Sequence, residues 1–210
     1  MLSFLKKIFS NSEPTFQEKV WMSKPYKFQG LYEDLSEITK TGHKAFIFTH
    51  FEKTYQEVCF VLEQKEIPFY QFQKGDDTSI LAFNQVAIFQ ANALEKRVIE
   101  NLQSQQIPVR CLILEHFPLR TNDEELLAKL KTIAPQATPV FYTSLEDAAL
   151  QPFVTENLKQ IMVKMGMKAD ESVSHKMISK SIINAQEKIA QQVKSNRMTY
   201  APEEWIKVNL

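Results

Sequence analysis

Chemistry in a chain begins with side chains that can hold a metal, move a proton or attack an electrophile. Asp76 and Asp77 stand side by side, and adjacent carboxylates can open a metal site. They sit between an apolar run and Thr78-Ser79, which is turn composition, and they are read here as a turn. Glu171 and His175 are four residues apart, the spacing that puts two side chains on one face of a helix, so a local ion pair is expected. The histidines His43, His50, His116 and His175 share no ligand motif. Cys59 and Cys111 lie inside apolar runs without metal spacing and read as reduced core thiols of an intracellular, cytoplasmic protein.

Phosphate chemistry needs glycines, because a backbone that curls its N–H groups around phosphate leaves no room for Cβ. Gly30, Gly42, Gly75 and Gly166 are too far apart for such a loop. The chain has no Gly-Lys-Ser/Thr, no Gly-x-Ser-x-Gly and no His-Glu-x-x-His. No catalytic, cofactor-binding or metal-binding residue is assigned, and no cofactor is expected.

Composition narrows the partners. Lys plus Arg and Asp plus Glu are 25 each, so the global charge gives no steering toward nucleic acid, and none is expected as a partner. A chain of 210 residues suffices for one buried core with a small appendage. Residues 1–14 form a separate segment, in which Leu2, Leu5 and Phe9 share a helical face while Lys6 and Lys7 point away. It lacks a cleavable signal pattern. It suits a weak membrane-surface contact or a short helix docked on protein, and the second is the simpler use.

The elements that would position any site alternate. A helical period runs through Phe28, Leu31, Leu35 and Ile38 and stops near Gly42. Ala45–Thr49 reads as a buried strand, followed by a helix with Tyr55, Val58, Cys59 and Leu62 on one side. Ile67–Phe72 and Ile80–Phe83 read as the next strands, and Ala91–Gln106 as a helix. Val109–Leu114 is a strand, Asp123–Ile133 an amphipathic helix with Leu126, Leu127, Leu130 and Ile133 inward, and Thr138–Tyr142 a strand. This order predicts an α/β fold with a parallel sheet of about five strands covered by helices on both faces. Strands cease at Pro152, and Phe153–Val193 reads as two helices broken near Gly166. The domain reading is an α/β domain over 15–152, a helical extension over 153–197 and a tail over 198–210 that docks or dangles through Trp205 and Ile206.

Phe141-Tyr-Thr-Ser-Leu-Glu-Asp-Ala-Ala-Leu150 resembles a segment of SecA that reads Phe-Tyr-Leu-Ser-Leu-Glu-Asp before a short apolar helix. Met165-Gly-Met167, Glu171, His175 and Asn184-Ala-Gln-Glu-Lys188 are similar, in order and spacing, to the helix that leaves SecA's second nucleotide-binding domain. Val20-Trp21 with Lys24, Gly42 to Thr49, Ile67-Pro68, Ala82 with Asn84, and Glu115, Arg120 and Asp123 match more loosely. The likeness runs from residue 18 to residue 192 and implies a RecA-like domain of the helicase C-terminal kind.

The departures carry the functional expectation. SecA follows its Ala-Thr-Asn strand with Gly-Arg-Gly-Thr-Asp, where this chain has Ala87-Ile-Phe-Gln-Ala91. SecA's Gln-x-x-Gly-Arg-x-Gly-Arg supplies arginine fingers; an ungapped count puts Glu125, Ala128, Lys129, Lys131 and Thr132 there. Lysine lacks arginine's planar fork, and losing such fingers disables turnover. The first motor domain is absent from this sequence. The resemblance thus implies a pseudoenzyme: a non-catalytic, SecA-like module that binds a protein partner or a second copy, with translocation suggested by likeness only. Ile88 and Phe89 then either form an exposed docking patch or fill buried space. Two further readings are a subunit that completes a nucleotide site on another ATPase through Lys129 and Lys131, and a helicase-like nucleic-acid module.

Overall fold

The structure is a computed structural model that describes residues 15–105, 108–147, 160, 164, 168 and 170–210. The segment 1–14, most of the first helix expected after Pro152 and the break at Gly166 lie outside the described residues.

A six-stranded sheet organises the chain. Its strands are β1 (Gln17–Trp21), β2 (Lys44–Thr49), β3 (Tyr70–Phe72), β4 (Val86–Gln90), β5 (Val109–Ile113) and β6 (Val140–Ser144), in the spatial order β1-β6-β5-β2-β4-β3. All five pairings are parallel. Parallel neighbours need crossovers, and the helices supply them: α1 (Lys24–Lys40), α2 (Glu52–Gln64), α3 (Lys96–Gln105) and α4 (Arg120–Ile133). The C-terminal arm adds α5 (Lys176–Gln192) and α6 (Pro202–Asn209).

The strand pleat divides the core. Ala45, Ile47, Val86, Ile88 and Leu112 face Leu31 and Leu35 of α1 and Val58 and Leu62 of α2. Phe46, Phe48, Ala87, Phe89 and Cys111 face Val98 and Leu102 of α3 and Leu126, Leu130 and Ile133 of α4. Strands buried on both faces read as unbroken apolar runs, which is why β2 and β5 stood out in the sequence. Cys59 and Cys111 belong to opposite faces and are both free. Burial pushes each thiol up to about 12, so neither is a ready nucleophile.

Two glycines have physical reasons. Gly42, just beyond the end of α1, has φ +77 and turns the chain into β2. Gly30 lies against the Trp21 indole: a Cβ there would stand 2.3 Å from Trp21 Cζ2.

The chain departs from the sequence expectations in four places. The run Ile80–Phe83 is not a strand; Thr78–Ala82 forms a 3-10 helix, and the strand is Val86–Gln90. The edge strand β1, over Gln17–Trp21, makes six strands instead of about five. Ala91–Ala93 is a separate 3-10 turn before α3 begins at Lys96. Glu171 and His175 do not share a helix: Glu171 pairs with Lys168 at 3.1 Å, and His175 is the N-cap of α5, its Nδ1 accepting from Met177 N. Asp76 and Asp77 serve local chain reversal: Asp76 closes the Gln73–Asp76 turn, and Asp77 caps the 3-10 helix that follows. Asp77 accepts from Ser79 N, and Asp76 accepts from Gln73 N and the Tyr70 hydroxyl.

Candidate functional site

Open parallel sheets bind ligands at the carboxyl ends of their strands, where successive helices leave toward opposite faces. That condition is met between β2 and β5, since α2 packs on one face and α4 on the other. The first residues past these strands are His50-Phe51 and Leu114-Glu115-His116-Phe117, all buried.

Glu115 occupies the N-terminus of α2. Its Oε1 accepts from the backbone N–H of His50 and of Phe51, each at 2.9 Å, and its Oε2 from the Thr54 hydroxyl at 2.6 Å. The first turn of a helix presents unpaired N–H groups to an anion, and here the anion is the chain's own carboxylate. Burial pushes the Glu115 carboxyl above its ordinary range, against the opposing pull of Thr54 and His50.

Asp123, on α4, is the second centre. Its Oδ1 accepts from Phe117 N at 2.9 Å and from His50 Nε2 at 3.0 Å. Its Oδ2 accepts from His116 Nδ1 and from Gln186 Nε2, each at 2.7 Å. His116 reaches the other way with Nε2, 2.8 Å from Glu18 Oε1, which also accepts from the Thr143 hydroxyl. Burial alone would lower the His116 pKa, but Glu18 and Asp123 on either side outweigh it and raise it to about 10. A carboxylate at each ring nitrogen favours the imidazolium form, in which both N–H groups donate. Asp123 is held well below the carboxylate range, since His116 and His50 overcome its burial.

The third centre is a buried ion pair. Lys27 Nζ lies 2.7 Å from Asp147 Oδ1 and also donates to Leu114 O. Asp147 accepts from Ser144 N and the Ser144 hydroxyl, and the neighbouring Glu146 accepts from Lys24 N at the start of α1. Tyr142 stacks on Trp21 with centroids 5.4 Å apart. The Phe-Tyr-x-Ser-Leu-Glu-Asp run thus locks the end of β6 to α1; these contacts are structural.

The arm closes this part of the edge. Gln186 of α5 donates to Phe117 O as well as to Asp123. Trp205 of α6 is fully buried among Phe51, Phe117, Leu119 and Ile189, edge-on to the Phe117 ring. The tail therefore docks. Beneath α5 a cavity of about 90 Å³ remains, lined in part by Glu18, His116, Asp123 and Gln186.

The positions set against the arginine fingers lie on α4 and are engaged with their own helix or the turn after it. Lys129 pairs with Glu125 at 2.8 Å, Lys131 donates to Pro135 O, and the Thr132 hydroxyl donates to Ala128 O. Ile88 and Phe89 are fully buried within β4, so the exposed docking patch considered for them does not exist. The run Ala87–Ala91 is mostly strand, not a turn beyond one. Among the described residues, no three His, Cys, Asp or Glu side chains are arranged to hold a metal ion. No local spacing announced the cluster of Glu18, His50, His116, Asp123 and Gln186, because its members come from four stretches of the chain and only His116 and Asp123 are near neighbours. The one signal was Glu115 and Asp123, already noted for their likeness to SecA.

The comparisons with known proteins agree with that likeness. No family model matches the chain. SecA of Clostridium kluyveri is 27% identical over 190 residues, covering 83% of this chain and 22% of its own length. SecA of Phocaeicola vulgatus is 23% identical over 181 residues, or 82% of this chain and 16% of its own. A shorter stretch of 70 residues is 47% identical to SecA of Vesicomyosocius okutanii, covering 33% of this chain and 8% of that protein. The chain therefore spans less than a quarter of the length of these relatives. Among solved structures, the C-terminal part of the Fun30 ATPase domain overlays with a TM-score of 0.40 at 11% identity, covering 79% of this chain and 54% of that one.

Proposed function

We propose that this chain is a non-catalytic relative of the SecA motor domain, acting in the cytoplasm as a protein-interaction module for a protein partner or a second copy of itself. The observation that carries the reading is the state of the finger positions. Lys129, Lys131 and Thr132 replace residues that would have to reach a phosphate, and each is spent on its own helix or the turn after it. The edge beside β2 and β5 supports the reading, because most of its polar side chains are engaged with one another, Asp123 with His50, His116 and Gln186 and Lys27 with Asp147, while Glu18 Oε2 alone in this cluster is buried without a partner among the described residues. A connection to protein translocation rests on the name of the relatives, protein translocase subunit SecA. Among the described residues no helix is long and apolar enough to cross a membrane.

Steady-state ATP hydrolysis by the purified chain tests the silent half of the proposal. The expected rate is that of the buffer blank; Mg²⁺-dependent turnover that falls on Lys129→Ala would overturn it. Sedimentation velocity over a wide protein range tests self-association, and a monomer throughout leaves a different protein as the partner.

A further inference from the structure

The carboxyl edge of the sheet has a closed half and an open half. Above β1, β6, β5 and β2 it is covered by α5 and α6. Beyond β4 and β3 a cleft of about 390 Å³ remains, lined by Glu52, Tyr55, Phe72, Gln73, Gln90 and Asn92. That volume is in the range of sites that take a side chain or a small molecule.

Its charge is not balanced. The half-buried Glu52 carboxylate accepts from two neutral amides, Gln56 Nε2 at 2.9 Å and Gln90 Nε2, and pairs with no cation among the described residues. Lys74, on the wall of the cleft, is already paired with Glu95 at 2.6 Å. The Tyr55 hydroxyl is pushed above its ordinary pKa by burial first, then by Cys59, Glu52 and Asp76, in keeping with a negative field at this spot. Phe72 and Tyr55 lie at the apolar floor of the cleft, but at 1% and 7% exposure they present almost no free ring face. The side-chain amides of Gln73 and Asn92 are exposed at the rim.

We propose that this cleft receives an arginine side chain presented by a protein partner; the proposal rests on the interaction-module reading above. A guanidinium is planar and weakly hydrated, and offers N–H donors in a fork that matches a carboxylate flanked by amide oxygens. Phosphate is disfavoured beside an uncompensated Glu52, and a lysine ammonium, a strongly hydrated point charge, does not offer the fork.

The test titrates N-acetyl-arginine amide into this chain of 210 residues and follows amide resonances by NMR, with the neutral isostere N-acetyl-citrulline amide and with ADP as comparisons. Saturable shifts at Gln73, Gln90 and Asn92 are expected with arginine, with binding about tenfold or more weaker for citrulline, the scale of one charge-assisted hydrogen bond. Glu52→Gln should abolish the difference between the two ligands, and Asn92→Ala, at an exposed site, should weaken arginine in a protein that still folds. Absence of shifts with arginine, or equal binding of citrulline, overturns the proposal. Arginine failing while ADP is silent removes the cleft alone. ADP shifting these residues overturns both the cleft and the non-catalytic reading.

Discussion

Lys27 Nζ and Asp147 Oδ1 lie 2.7 Å apart, with side chains 2% and 8% exposed, at the point where α1 passes under the end of β6. The pair joins residues 120 apart in sequence. Removing one member leaves a buried charge without its partner, which costs about 3–5 kcal/mol, whereas an apolar replacement of both costs far less. Asp147→Ala should therefore lower the urea midpoint sharply. Lys27→Met with Asp147→Leu should recover much of the loss in the same experiment.

Protonated His116 stabilises the fold through Glu18 and Asp123, and the sign follows from its direction of shift. Its folded pKa of about 10 exceeds the unfolded value of about 6.5, so the stabilisation is complete below about pH 6.5 and is lost as pH rises through 10. Asp123 acts oppositely: its pKa is depressed, so its contribution is present at neutral pH and lost only in strong acid. Melting temperatures should fall between pH 7 and pH 10 in the native chain. In His116→Gln the curve should start lower and lose this slope.

Trp205 is fully buried in a socket of Phe51, Phe117 and Ile189. Truncating a buried tryptophan costs about 3–5 kcal/mol. Trp205→Ala should lower the thermal midpoint and speed amide exchange across α6 and the first turn of α2. Exchange confined to α6, with stability unchanged, would show the arm to be an appendage.

Gly30 offers a test of packing on the outer face of the sheet. A methyl group there meets Trp21 Cζ2 at 2.3 Å and Cε2 at 2.8 Å. Overpacking of this kind costs about 1–3 kcal/mol. Gly30→Ala should destabilise the chain, although alanine is the better helix former in a free peptide.

Much of the fold was legible because buried parallel strands write themselves as apolar runs: Ala45–Thr49 and Val109–Leu114 could be little else. β1 was harder, since Gln17-Glu-Lys19 is polar and its burial comes from distant segments: Val173 pairs with Val20, and Leu145, Ile178 and Ile182 pack over it. Ile80-Leu-Ala-Phe83 has strand composition, but the Asp77 cap starts a 3-10 helix ahead of it and leaves Phe83 exposed. Apart from Asp123, marked by its likeness to SecA, the polar cluster was invisible because burial, not spacing, gathers it. His50 is 73 residues from Asp123, and is unremarkable until β2 and β5 lie side by side.

The most direct test of the central claim is a thermal-shift titration of the purified chain with ATP and with ADP, each with Mg²⁺. A ligand at a hundred times its Kd stabilises the folded state by about 2.7 kcal/mol, a rise easily read in the melting temperature. The account predicts no shift with either nucleotide at millimolar concentration. A saturable rise that disappears in Lys129→Ala or Lys131→Ala would contradict it and would return this chain to the working ATPases.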